Sequence, residues 1–163
     1  CLINGVSHRV KKKEKLISKK KGGEMGTQQI LLIVLSVIIV GIAVAVGISM
    51  FNSQAVNANR QAIVADINNF GAQAMAYFRS PASHGGGAGT FVVDEVGQWL
   101  GYNYNATADS LYTENGEFGL TTDGAVLTIV GVGTETGNDG TNPVKATATV
   151  TGATGAISTT IDN

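Results

Sequence analysis

The sequence predicts an α+β chain: one long helix, from about Gln28 to about Arg79, packed on a C-terminal antiparallel sheet of about four strands. Three observations lead there. The 22-residue run Ile30–Phe51, ILLIVLSVIIVGIAVAVGISMF, holds no charge. As a helix it would measure ~33 Å at 1.5 Å per residue, enough to cross a bilayer. Beyond it, apolar residues keep a helical spacing as far as Arg79. From Glu117 onward, Val, Ile, Thr and Ala alternate with period 2 between clusters of Gly, Asn and Asp, as strands and tight turns require.

The elements follow in order. Residues 1–26 carry Arg9, Lys11, Lys12, Lys13, Lys15, Lys19, Lys20 and Lys21 against Glu14 and Glu24, eight positive charges to two negative, net +6. Cationic residues beside an apolar span hold that end in the cytoplasm, so residues after Phe51 are expected to face outward. No proline interrupts the chain from there to Pro81. Val56, Ile63, Ile67, Phe70, Ala74 and Tyr77/Phe78 recur at steps of seven, four and three, one stripe of an amphipathic helix. Pro81 ends it, because proline disfavours helical geometry at the residue before it.

The glycine-rich stretch 84–90, HGGGAGT, reads as a flexible connector, and Phe91–Val93 and Gln98–Tyr102 as short extended or single-turn pieces. Four strands are expected at Glu117–Thr122, Ala125–Val132, Lys145–Thr151 and Ala156–Ile161. The dipeptide Asp123-Gly124 marks a hairpin between the first two. In the third, Ala146, Ala148 and Val150 share one face and Lys145, Thr147, Thr149 and Thr151 the other. Phe70, Tyr77 and Phe78 are the aromatics expected to anchor the sheet to the helix.

Three segments result: a basic leader, 1–26; the apolar half of the helix, 27–53; and an outward head, 54–163, large enough for one domain. From Thr27 to Asn163 there are three cations, Arg60, Arg79 and Lys145, against ten carboxylates, net −7. Such a surface repels nucleic acid, and no basic patch with interleaved aromatics is present, so no nucleic-acid partner is expected. Cys1 is the only cysteine, which leaves the head without a disulfide or a cysteine-based metal site.

A basic leader, then glycine, then a polar residue or two, then an uninterrupted apolar helix with an internal glycine and a closing phenylalanine (Gly41 and Phe51 here) resembles the type IV pilin family. Its members also pack the outer half of that helix on an antiparallel sheet. The resemblance implies a class III signal, cut on the cytoplasmic face by prepilin peptidase, followed by methylation of the new amine. It implies residence in the inner (cytoplasmic) membrane as a precursor. A homo-oligomeric helical filament would then form on the cell surface, built by pilus assembly machinery. Cleavage is expected between Gly26 and Thr27, which places Gly41 and Phe51 near the family's positions; Gly23–Glu24, directly after the lysines, is the alternative. The residues implied in assembly are Gln28, Gln29, Ile30, Leu31, Leu32, Gly41, Ala45, Gly47 and Phe51. One departure stands out. The family usually carries a glutamate within the first turns of the mature helix, whereas this neighbourhood reads TQQILL, and glutamines cannot cancel the charge of a buried amine.

Within the span, Gly41 with Ala45 and Ala43 with Gly47 form small-xxx-small pairs that let helix backbones approach closely. Other signals weigh less. His84-Gly85-Gly86-Gly87 is similar to an esterase oxyanion segment, but no G-x-S-x-G elbow accompanies it, so no catalytic residue and no enzyme is expected. Glu135, Asn138, Asp139 and Asn142 offer oxygen atoms in one loop at a spacing that suits turns better than calcium. No metal or cofactor is expected. Asn105-Ala106-Thr107 matches the N-glycosylation pattern in an outward loop. The alternatives to a pilus subunit are a secretion-system pseudopilin and an uncleaved single-span protein with an outward binding domain.

Overall fold

The computed structural model describes the backbone of residues 3–137 and 139–163, with side chains from Gly26 onward. It has the α+β architecture that the sequence predicts. Helix α1 runs Ile3–Arg79, a 3-10 turn Ala82–His84, helix α2 Val93–Leu100, and six strands follow. These are β1 Asn103–Asn105, β2 Ser110–Tyr112, β3 Gly116–Thr122, β4 Val126–Thr136, β5 Pro143–Thr151 and β6 Ala156–Ile161. The strands form one antiparallel meander in the order β1-β2-β3-β4-β5-β6. The count is six and not about four: β1 and β2 are three residues each and too short to leave an alternating pattern. The chain divides into two compact units, Cys1–Met50 and Phe51–Asn163.

In the second unit, the C-terminal part of α1 lies on one face of the sheet. Ile63, Ile67, Phe70, Ala74 and Tyr77 are all at most 1% exposed, the stripe that the spacing predicts, whereas Val56 and Phe78 are half-buried. The sheet meets them with Phe118 and Leu120 from β3, Leu127 and Ile129 from β4, and Ala146, Ala148 and Val150 from β5. Register puts Thr128, Thr147, Thr149 and Lys145 on the opposite face, in or near solvent. Small residues set the helix–sheet distance. A Cβ at Gly131 would stand 2.8 Å from Ile63 Cγ2 and from Ile67 Cδ1, so the helix crosses β4 where there is no side chain.

Of the three aromatics expected to anchor the sheet, Phe70 makes a ring contact with a strand, whereas the ring partners of Phe78 and Tyr77 are Phe91 and Trp99, outside the sheet. Phe70 packs edge-on to Phe118 (ring centroids 4.9 Å apart) and to Tyr102 (5.0 Å), and Phe78 lies against Phe91 at 4.7 Å. Helix α2 replaces the two short pieces that the sequence suggests at 91–93 and 98–102. It buries Val96, Gly97 and Leu100, and the ring of Tyr104 sits where a Cβ of Gly97 would be.

Two loops are closed by aspartates. Asp123 Oδ1 accepts the backbone N–H of Val126 (2.8 Å) and of Ala125 (3.0 Å), which closes the β3–β4 hairpin; Gly124 takes the positive φ of 91° there. Asp139 accepts the N–H groups of Thr141 and Asn142 and, at 2.6 Å, the amide of Asn142. Backbone bonds to Val126 and Ala125 hold the Asp123 carboxyl below its ordinary pKa. The Thr141 N–H, ahead of the Asn142 amide and N–H, holds Asp139 well below the carboxylate range. A depressed folded pKa contributes stability above the unfolded value that is lost as pH falls through the folded one. Stability of the head should therefore decline below about pH 4. Replacing both with Asn keeps an oxygen acceptor and removes the titration. Urea midpoints followed by Trp99 fluorescence should fall less steeply in the Asp123→Asn, Asp139→Asn double variant than in wild type.

Candidate functional site

The apolar run is exposed on all sides in the single chain. Every large apolar side chain between Ile30 and Phe51 shows 50–73% of its surface, with Ile30, Leu31 and Leu32 at 63–69% and Phe51 at 73%. A helix apolar all round is stable only inside a protein core or a membrane. Gly26–Arg79 is the helix that, among the described residues, is long and apolar enough to cross a membrane. Within the run, Ser36 Oγ donates to Leu32 O at 2.7 Å, a bond inside the helix.

Nothing lies within 4 Å of a Cβ built on Gly26, Gly41 or Gly47. Gly41 and Ala45 fall on one side of the helix, and Ala43 and Gly47 about 200° round from them at 3.6 residues per turn. Two flat patches facing apart can take two neighbours at once. Thr27, Gln28 and Gln29 sit exposed at the start of the run. Gly23 and Glu24, the alternative cleavage pair, lie outside the residues whose side chains are described.

In the head, the glycine-rich stretch is an ordered cap and not a flexible connector. The N–H groups of Gly87, Ala88 and Gly89 donate to the carbonyls of Tyr77, Ser80 and Phe78, and those of Gly85 and Gly86 to Ala82 and Pro81. The Gly87 and Gly89 bonds satisfy two of the carbonyls that the last turn of α1 leaves open. A Cβ on Gly86 would stand 2.2 Å from Ser80 Cβ, and one on Gly87 would stand 2.1 Å from Thr90 O, so only glycine fits. With those N–H groups engaged, the loop presents no oxyanion hole beside His84, whose Nδ1 lies 3.1 Å from Ser83 Oγ.

The expected 133–143 loop narrows to the β4–β5 connection, residues 137–142, which is closed by its own turn and by Asn163, whose side-chain amide donates to Asn142 O at 3.1 Å. Asp139 is occupied by its own turn, Asn142 bonds to it, and Asn138 lies outside the described residues. Among the described residues no three His, Cys, Asp or Glu side chains come together as a metal site. Asn105 ends β1, exposed, with Oδ1 accepting the N–H of Thr107 at 3.0 Å.

The chain matches no family model, no curated protein and no solved structure. The surface itself therefore carries the functional argument. One part of it was not legible in the sequence: a cleft of about 430 Å³ lined by Ala82, Gly85, Gly86, Glu95, Gln98 and Trp99. It needs the loop after α1 and helix α2 side by side, and only the fold brings these together. The available signal was a lone tryptophan one and four residues after polar side chains, Gln98 and Glu95, in a segment read as two separate pieces. Tyr77 backs the cleft. Its hydroxyl donates to Glu95 Oε2 at 2.5 Å, and burial, then the bond and charge of Glu95, push its pKa up to about 12.

Proposed function

We propose that this chain is a structural subunit of a type IV pilus-like filament, polymerising through its apolar helix and displaying the head outside. The observation that carries the reading is the all-round exposure of Ile30–Phe51. Burying one Leu, Ile, Val or Phe side chain is worth about 1.5–3 kcal/mol, so this segment has to sit in lipid or among apolar neighbours. A helix bundle made of copies offers the second environment, and the paired Gly/Ala patches on two sides suit a polymer better than a closed dimer. The precursor waits in the cytoplasmic membrane. Its leader holds it there, because eight cations cannot enter an apolar bundle. Prepilin peptidase removes the leader after Gly26, and assembly machinery transfers the subunit from lipid to filament. The head carries no catalytic role.

Material sheared from the cell surface tests this. Electron microscopy should show thin filaments, and mass spectrometry of their subunit should find Thr27 as the first residue. A full-length chain dispersed singly in membranes would overturn the proposal. Assemblies confined to the cell envelope would replace it with the secretion pseudopilin, and Glu24 as the first residue would move the cleavage to Gly23.

A further inference from the structure

We propose that the Trp99 cleft is a binding site for a neutral sugar ring of a surface glycan. Trp99 is the only tryptophan of the chain, and it stands 38% exposed on the wall of the cleft. Its ring packs against Tyr77 in a T-shaped pair, centroids 5.8 Å apart at 65°, and Tyr77 is itself fully buried. An indole fixed in this way gives a flat apolar face with low ordering entropy on binding.

Polar groups flank that face. Glu95 uses Oε2 for Tyr77, and its other oxygen stays open as an acceptor. Gln98 makes no side-chain hydrogen bond to any described residue, so its amide can both donate and accept. Residues 95, 98 and 99 fall on one side of α2, with the buried Val96 and Leu100 about 130° round from them at 3.6 residues per turn. Gly85 and Gly86 keep the other wall low and present backbone instead of side chains.

This combination selects its ligand. A pyranose has an apolar C–H face for the indole and equatorial hydroxyls that match a carboxylate and an amide at the rim. A phosphate or carboxylate ligand finds no cation in the wall and a head of net negative charge. Quaternary ammonium ligands are held best in cages of several rings, and a single ring lines this cleft. At about 430 Å³ the space suits one or two rings, at the small end of the 300–1,000 Å³ typical of ligand sites. The inference does not depend on polymerisation, so its failure would leave the filament proposal standing.

The test uses the full chain in a polyoxyethylene detergent, which contains no sugar. Because Trp99 is the sole indole, its emission reports the cleft directly. Titration with glucose, galactose, mannose and N-acetylglucosamine should give a saturable change for at least one of them. Glucose 6-phosphate and choline should give none. Gln98→Ala should weaken binding on the order of tenfold, the loss of about one hydrogen bond, with an unchanged unfolding midpoint. Trp99→Ala should abolish saturation-transfer NMR signals on the sugar. Three results would each overturn the assignment: no saturable response to any neutral sugar, unchanged sugar signals in Trp99→Ala, or saturation by choline instead.

Discussion

Cells producing the Gly23→Val, Gly26→Val double variant are expected to retain the uncut chain in the membrane and to shed no filaments. In the proposed filament the effect should be all-or-none, because the variant blocks the cleavage that would make the apolar helix available. Each lysine or arginine at the centre of an apolar span is unfavourable by about 2.5–3.5 kcal/mol. The leader holds eight of them, so a bundle that admitted it would lose more than the packing of one helix returns. Both glycines must change, since Gly23→Val alone leaves the Gly26–Thr27 bond to be cut and should yield normal filaments. Both lie outside the head unit Phe51–Asn163, and a Cβ on Gly26 meets nothing within 4 Å. The double variant's head should therefore melt as wild type does, which separates failed processing from failed folding. Subunit mass in membrane and sheared fractions provides the measurement. Filaments of uncut double-variant subunits would remove the role assigned to the leader.

How much of this was legible in the sequence depends on how far each element relies on local pattern. The α1 stripe was readable because five core positions at steps of three and four leave a strong helical period, and all five are buried. Strands β3, β5 and β6 fall close to the alternating runs, and Pro143 and Val144 add to β5 what the alternation from Lys145 did not include. Strand β4 continues past Val132 to Thr136 through an irregular register, where Gly133, Thr134 and Glu135 look like loop. Helix α2 was divided into two pieces because it is short and contains Gly97, which is unfavourable in a helix and present here to receive the Tyr104 ring. Its Asp94 and Glu95 in the first turn, and Gly101 at φ 71° just past its end, were the terminal signals that could have found it. Among the candidate sites, the apolar surface was visible at once, since exposure of a chargeless run needs no tertiary information. The Trp99 cleft was not, because its two walls are joined only by folding.

The same contrast predicts opposite outcomes for two phenylalanines of one helix. Phe70→Ala should lower the stability of the head by about 3–5 kcal/mol, the range for truncating a buried phenylalanine. Phe70 is 1% exposed, and its ring links α1 to β3 through Phe118 and to the α2–β1 connection through Tyr102. Neither partner can collapse easily into the space, because Gly131 and the helix–sheet spacing are already at close approach. Native domains hold only about 5–15 kcal/mol in total, so the loss takes a large share of what the head has. For a domain near this size it corresponds to a fall in melting midpoint of roughly 15–30 °C. Trp99 fluorescence follows the transition, since that ring packs on Tyr77 within the same core. Phe70→Leu should cost less than about 1.5 kcal/mol, because most of the volume is kept. Phe51→Ala should leave the midpoint unchanged, since Phe51 is 73% exposed and its partners are expected in lipid or in other subunits. It should instead weaken filament yield. If Phe70→Ala melted within a few degrees of wild type, or Phe51→Ala destabilised the head comparably, the division of α1 into an assembling half and a head-packing half would be wrong.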